Sequence, residues 1–310
     1  MKPQGIIVPM VTPLDETGTT IQLNQVEKLV QFLIQKKINA LFVTGTTGEG
    51  PLISFEEKKE IFQVVHKINE GQLLLIAQVG SLTTQETIKT AEAALDNGFE
   101  YIAVLPPYYF KYNDEALYQY YHTVANAISP KPIFLYNIPS TTNHFLNIQL
   151  VQKIKNNISN IKGIKDSSGN MSHLSQLIAM QDENFSVYVG SDILSFPCFL
   201  LGAKGMVSGP AGVIPEIYVS YYQAIQAGNL EKAGSLYRKI AYISQMFKDC
   251  LLYTSDAADD LLCVDLGGRR IIKKKNKINK ISKIINLYLS KQSTYSLTPS
   301  RLLNTTRVLL

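Results

Sequence analysis

Lys165 closes a short apolar run, Ile161-Lys162-Gly163-Ile164-Lys165-Asp166, that reads as a buried strand. An amine at the end of such a strand faces a poorly hydrated pocket, where desolvation disfavours the ammonium form and lowers its pKa. A neutral amine attacks a ketone and forms a Schiff base. The ordinary alternative is a lysine that snorkels to water or pairs with Asp166. Other groups at strand ends favour the reactive amine. Thr44-Gly45-Thr46-Thr47-Gly48-Glu49 combines hydroxyls and backbone N–H groups in a turn that can hold a carboxylate without a cation. Pro106-Pro107-Tyr108-Tyr109 and Tyr136-Asn137-Ile138-Pro139 each bring a phenol. A phenol ionises near pH ~10 and is a poor free base, but beside an iminium and a hydroxyl relay it can shuttle a proton. Taken singly, these are also ordinary turns and core aromatics. Ser208-Gly209-Pro210-Ala211-Gly212 lets backbone approach a ligand, or is a plain turn. Asp192 can bind a substrate hydroxyl or cap the following helix.

These groups need a scaffold that gathers strand ends. Up to about residue 250 the chain alternates short apolar runs with longer amphipathic ones. Strands are predicted at residues 5–9, 40–44, 73–77, 101–105, 132–136, 161–165, 186–189 and 205–208. Near-continuous apolar strands fit a parallel sheet covered on both faces. Their spacing of about 25–35 residues, shorter only before the last, is that of strand-helix-strand units. Val26, Leu29, Val30, Leu33 and Ile34 recur at helical spacing. Ser54-Phe55-Glu56-Glu57 reads as a capping box that opens the next helix. A third helix, carrying Thr84 to Leu95, is expected to end near Gly98. Eight repeats imply an α/β fold, a (β/α)8 barrel, whose chemistry sits at the C-terminal ends of its strands. A doubly wound open sheet would place a glycine-rich turn after its first strand; here Val11-Thr12-Pro13 follows instead.

Composition excludes several function classes. In 310 residues, 45% are hydrophobic and 18% charged, the balance of a soluble domain. No apolar stretch reaches the ~18 residues of a membrane span, and the N-terminus lacks a signal-peptide layout. Cys198, Cys250 and Cys263 show neither metal nor disulfide spacing, so a cytoplasmic setting is expected. The net charge of +5 is concentrated at the end: residues 250–310 carry 11 basic and 4 acidic side chains, leaving 19 and 21 before them. The barrel region therefore offers no electrostatic case for nucleic acid. His66, His122, His144 and His173 have no clustered ligand spacing, so no metal is expected.

Gly45-Thr46-Thr47-Gly48-Glu49, Tyr136-Asn137-Ile138-Pro139 and Gly163-Ile164-Lys165-Asp166, in that order and each at a strand end, resemble the dihydrodipicolinate synthase/N-acetylneuraminate lyase family over residues 2–249. The resemblance implies a pyruvate Schiff-base lyase on a (β/α)8 barrel, with no cofactor beyond the covalent lysine–pyruvate imine. It implies a keto-acid substrate and a homo-oligomer, dimer or tetramer. Lys165 falls on the Schiff-base lysine and Tyr136 on the proton-transferring tyrosine. Thr46 and Thr47 fall on the carboxylate-binding and relay threonines, with Thr47 taken as the relay. Tyr109 falls on the tyrosine that reaches a neighbouring subunit's site. Val207 falls where a backbone carbonyl faces pyruvate.

Two departures bear on the substrate. Dihydrodipicolinate synthases carry an arginine after the Tyr-Asn-x-Pro segment that clamps the aldehyde partner's carboxylate. Thr141 stands there in this sequence, and threonine supplies no cationic fork. Sialic acid lyases carry an acidic pair after the seventh strand, and here Asp192 is followed by Ile193. Ser140, Thr141, Thr142 and Ser208 suit a polar, uncharged tail, so cleavage of a 2-keto-3-deoxy sugar acid to pyruvate and an aldehyde is the expected reaction. Condensation of pyruvate with aspartate semialdehyde is the alternative, and a non-catalytic keto-acid-binding barrel another.

Residues 1–225 are thus expected to form the barrel and 226–249 to begin a helical C-terminal extension that is cut short. Residues 250–310 read as a non-native tail: Cys250-Leu251-Leu252-Tyr253-Thr254-Ser255-Asp256-Ala257-Ala258-Asp259-Asp260 looks like a translated sequencing-library adapter, followed by A/T-rich read-through. A genuine basic tail is the alternative.

Overall fold

The computed structural model describes residues 2–15 and 17–255, with side chains through Phe247. The eight strands are β1 (Gly5–Pro9), β2 (Ala40–Val43), β3 (Leu74–Gln78), β4 (Tyr101–Val104), β5 (Ile133–Asn137), β6 (Ile161–Asp166), β7 (Ser186–Val189) and β8 (Gly205–Val207). Each lies within a residue of its predicted position. They pair in parallel in sequence order, and β8 returns to β1 to close the barrel. Closure removes both sheet edges.

The helices are α1 (Leu23–Gln35), α2 (Phe55–Asn69), α3 (Thr84–Asp96), α4 (Asp114–Ala127), a single turn α5 (Pro139–Thr142), α6 (Ile148–Asn157), α7 (Met171–Ala179), α8 (Ser195–Leu200), α9 (Pro215–Gln226) and α10 (Leu230–Ser255). The start of α2 follows its sequence signal. Ser54 accepts from the Glu57 N–H while the Glu57 carboxylate accepts from the Ser54 N–H, the reciprocal pairing of a capping box. α3 ends at Asp96, and Gly98 follows with φ +76°. The α10 helix runs unbroken to Ser255, past the boundary placed after Asp249. The remainder of the expected non-native tail lies outside the described residues.

Side chains of a strand alternate between its two faces, and the barrel separates two cores accordingly. Ile6, Val8, Leu41, Val43, Leu135 and Ile164 pack outward beneath the helices. Ile7, Phe42, Ile76, Phe134, Tyr136, Tyr188 and Val207 point inward and fill the barrel. The register Phe134↔Gly163 and Tyr136↔Lys165 places Lys165 on the inner face, one step above Gly163. That glycine is required by space: a Cβ on it would stand 2.3 Å from the Ser186 carbonyl oxygen and 3.2 Å from the Phe134 ring. Gly163→Ala should therefore destabilise the protein by about 1–3 kcal/mol through overpacking, read as a lower urea midpoint at unchanged slope.

Candidate active site

Lys165 is 6% exposed although it carries an amine. Its Nζ lies 3.8 Å from the centroid of the Tyr136 ring and 4.2 Å from that of Phe42. The two rings meet edge to face at 5.7 Å. Aromatic faces and apolar strands leave little water to solvate an ammonium. Burial lowers the lysine pKa, and the neighbouring Tyr136 offsets part of that shift. The sign follows: a lowered pKa makes the neutral, nucleophilic amine available at lower pH than in a free lysine. The rate of imine formation with pyruvate should rise with pH and level off below the ordinary lysine value of 10.5, which a stopped-flow pH series checks.

The segment after β2 turns back on itself. Thr44 has φ +55° and its hydroxyl donates to the Gln78 carbonyl at 2.8 Å. The N–H groups of Gly48 and Gly50 both donate to the Gly45 carbonyl, at 3.1 and 3.0 Å. A Cβ on Gly50 would fall 1.9 Å from the Thr44 oxygen, so the turn closes only around glycine. This turn sets the Thr46 hydroxyl 3.2 Å from the Tyr136 hydroxyl. The hydroxyl beside the phenol is therefore that of Thr46 and not of Thr47, where the relay was expected. Thr47 points instead towards the loop after β8, with its hydroxyl 3.8 Å from where a Cβ on Gly209 would stand.

The loop after β8 forms a wall next to this turn. Val207 is buried and pairs with Ile7. The next N–H, of Ser208, donates to the Ile7 carbonyl at 3.2 Å, and the Ser208 hydroxyl accepts from the Ala211 N–H. Asp192 lies beside this wall. Its buried carboxylate accepts from the Tyr218 hydroxyl at 3.2 Å, and no side-chain cap by it opens α8. Burial raises its pKa, while Ser208, Tyr218 and Ser244 oppose the shift. Asp192 therefore ties the β8 loop to α9 and α10. Thr141 sits in the α5 turn, exposed, with its hydroxyl donating to the Ile138 carbonyl at 3.3 Å. Tyr109 stands apart. It is 77% exposed, has φ +83° and touches Phe110 edge to face at 4.9 Å. Within one chain it does not join the Lys165 cluster.

Sequence reasoning missed two features. Phe42 is an inward residue of β2 and forms the second aromatic face against the amine. The alternation of β2 carried that signal. The other is a buried pairing of Asn137 with Asp166, residues that both lie inside the motifs already singled out.

Among the described residues, no group of three or more His, Cys, Asp or Glu side chains is placed to hold a metal ion, and no helix is long and apolar enough to cross a membrane. The sequence profile of the dihydrodipicolinate synthetase family matches residues 2–255. The 4-hydroxy-tetrahydrodipicolinate synthase of Listeria monocytogenes serovar 1/2a is 34% identical over 76% of this chain and 80% of its own length. The enzyme of that name from Archaeoglobus fulgidus is 35% identical over the same shares. The structure of dihydrodipicolinate synthase from Aquifex aeolicus is 27% identical and superposes with a TM-score of 0.80, covering 92% of this chain and 98% of that one. A Ruminococcus gnavus sialic acid aldolase superposes at 0.75 with 25% identity, over 78% and 79%. Two differently named enzymes thus share this barrel, and the common ground between them is one family: the chain belongs to the dihydrodipicolinate synthetase family and is a lyase of that kind.

Proposed function

We propose that the protein is a Schiff-base pyruvate lyase that cleaves a 2-keto-3-deoxy sugar acid into pyruvate and an aldehyde. The observation that carries the Schiff-base step is the buried amine of Lys165 between the Tyr136 and Phe42 rings. The neutral amine attacks the C2 ketone. Tyr136 gives its proton to the departing hydroxyl, water leaves, and an iminium and a phenolate remain. The phenolate takes the C4 hydroxyl proton, the C3–C4 bond breaks, and its electrons flow into the iminium. An aldehyde departs from the resulting enamine. Tyr136 then protonates C3, and hydrolysis frees pyruvate and the amine. Thr46, 3.2 Å from the phenol, exchanges that proton and stabilises the phenolate. The N–H groups of Thr46 and Thr47 hold the substrate carboxylate, and the lysine imine serves in place of a cofactor. The Val207 carbonyl, Ser208 and Asp192 line the substrate's other side.

The substrate class rests on Thr141. Arg238 on α10 is the sole arginine among the described residues, and Thr141 has no guanidinium to clamp a second carboxylate. A tail rich in hydroxyls meets Ser140, Thr141 and Ser208 without a charge to neutralise. Exposed Tyr109 and Phe110, 77% and 64%, suit a homo-oligomer, dimer or tetramer, in which Tyr109 extends the relay into the neighbouring copy's site. One observation favours a second reading: the curated relatives from Listeria and Archaeoglobus are named 4-hydroxy-tetrahydrodipicolinate synthase. In that reaction the same enamine would attack aspartate semialdehyde. A panel of 2-keto-3-deoxy acids, scored by pyruvate release and set against consumption of aspartate semialdehyde with pyruvate, separates them. Cleavage should exceed condensation by about 10-fold or more in kcat/KM, the scale set by losing a bidentate charge clamp.

A further inference from the structure

Directly behind the catalytic pair lies a second pair. Successive strand residues face opposite sides, so Asn137 and Asp166 point outward just after Tyr136 and Lys165 point in. The register pairs Tyr136 with Lys165 and Asn137 with Asp166. Both outer residues are fully buried, at 0% exposure. The Asn137 Nδ2 donates to Asp166 Oδ2 at 2.6 Å. The amide's orientation is fixed, because its Oδ1 accepts from the Leu146 N–H at 3.1 Å. The other carboxylate oxygen accepts from the Ser168 N–H at 3.1 Å and its hydroxyl at 2.6 Å. His173 Nε2 stands 3.4 Å from Oδ2. Main-chain bonds continue the seam, from Ser167 N–H to the Asn137 carbonyl at 2.8 Å and from Gly190 N–H to the Asp166 carbonyl at 2.7 Å.

We infer that Asn137 and Asp166 are positioning residues: their buried amide–carboxylate bond sets the height of the Tyr136 phenol against the Lys165 amine and so controls proton transfer. This rests on the Schiff-base reading above. Register between parallel strands is held least where their pairing ends, and here the pairing ends at this pair, with the Ser167–Asn137 main-chain bond just beyond it. A hydrogen bond to a carboxylate is about twice as strong as one between neutral groups and so resists a slip in register better. Misplacement by about 1 Å is worth about 100-fold in rate. Attack by the amine needs only Lys165 and tolerates the shift better than transfer between phenol and substrate.

The test uses the full chain with three forms: wild type, Asp166→Asn, and the reciprocal pair Asn137→Asp with Asp166→Asn. In the single variant a donor must meet a donor, because the new amide faces either the Asn137 NH2 or the Ser168 N–H. The reciprocal pair rebuilds the bonds to Leu146 and Ser168 and the one across the seam with the amide and carboxylate exchanged. Active sites are counted by borohydride trapping with saturating pyruvate, and kcat is expressed per trapped site, which removes any loss due to unfolding alone. Asp166→Asn should lose about tenfold or more in kcat per trapped site with KM within about threefold, and the reciprocal pair should recover most of it. An undiminished per-site kcat in Asp166→Asn, or a deficit that the reciprocal pair leaves in place, overturns the inference. If Asp166→Asn does not fold, the reciprocal pair alone decides, by turning over near the wild-type per-site rate or failing to. A wild-type protein with no adduct on Lys165 sinks the Schiff-base reading and this inference with it. An adduct present with an insensitive kcat sinks this inference alone.

Discussion

Lys165→Ala is expected to abolish turnover, by at least about 10⁴-fold in kcat, while leaving the barrel folded. No other described amine is placed to replace it between the Tyr136 and Phe42 rings. The side chain lost is one that the fold tolerates at a cost, since burial disfavours its charged form. A steady-state assay with a cleaved 2-keto acid reads the loss. A thermal melt should show the variant unfolding cooperatively, which separates lost chemistry from lost structure.

Tyr136→Phe should lower kcat by about 10²–10³-fold, within the range of a general acid–base residue. The ring stays, and with it the edge contact to Phe42 at 5.7 Å and the face beneath the amine. The hydroxyl and its 3.2 Å contact with Thr46 are removed. Imine formation should therefore slow, since Tyr136 supplies the proton that releases water, and bond cleavage should fall further, so that single-turnover kinetics show an adduct that builds up slowly and releases aldehyde more slowly still. The phenol also supports the charged form of Lys165. Removing it should move the pH midpoint of imine formation further down, a direction opposite to that of a variant that merely admits water.

The barrel was legible because each strand carries its own signal. Gly5–Pro9 is apolar and Ser186–Val189 carries one polar side chain, and every position of both is buried, the pattern of strands covered on both faces. The burial of Lys165 was legible for the same reason, since its strand is covered on both faces. Relations across the chain were not. Whether Thr46 or Thr47 meets Tyr136 depends on a turn closed by Thr44, Gly45 and Gly50, and both residues share one side-chain chemistry. Asp192 reads locally as a cap or a ligand, yet its partner Tyr218 lies a helix away on α9. The Asn137–Asp166 bond joins two motifs that were each read for their other residue. The substrate tail is least legible, because exposed hydroxyls such as those of Ser140 and Thr141 recur in many loops.

The most direct measurement is reductive trapping: incubation with pyruvate and borohydride, proteolysis, and mass mapping of the modified lysine. The account predicts a single reduced pyruvyl adduct on the peptide that carries Lys165, and none in Lys165→Ala. A protein that stays unmodified, or an adduct carried equally by other lysines and unchanged in the variant, would contradict it.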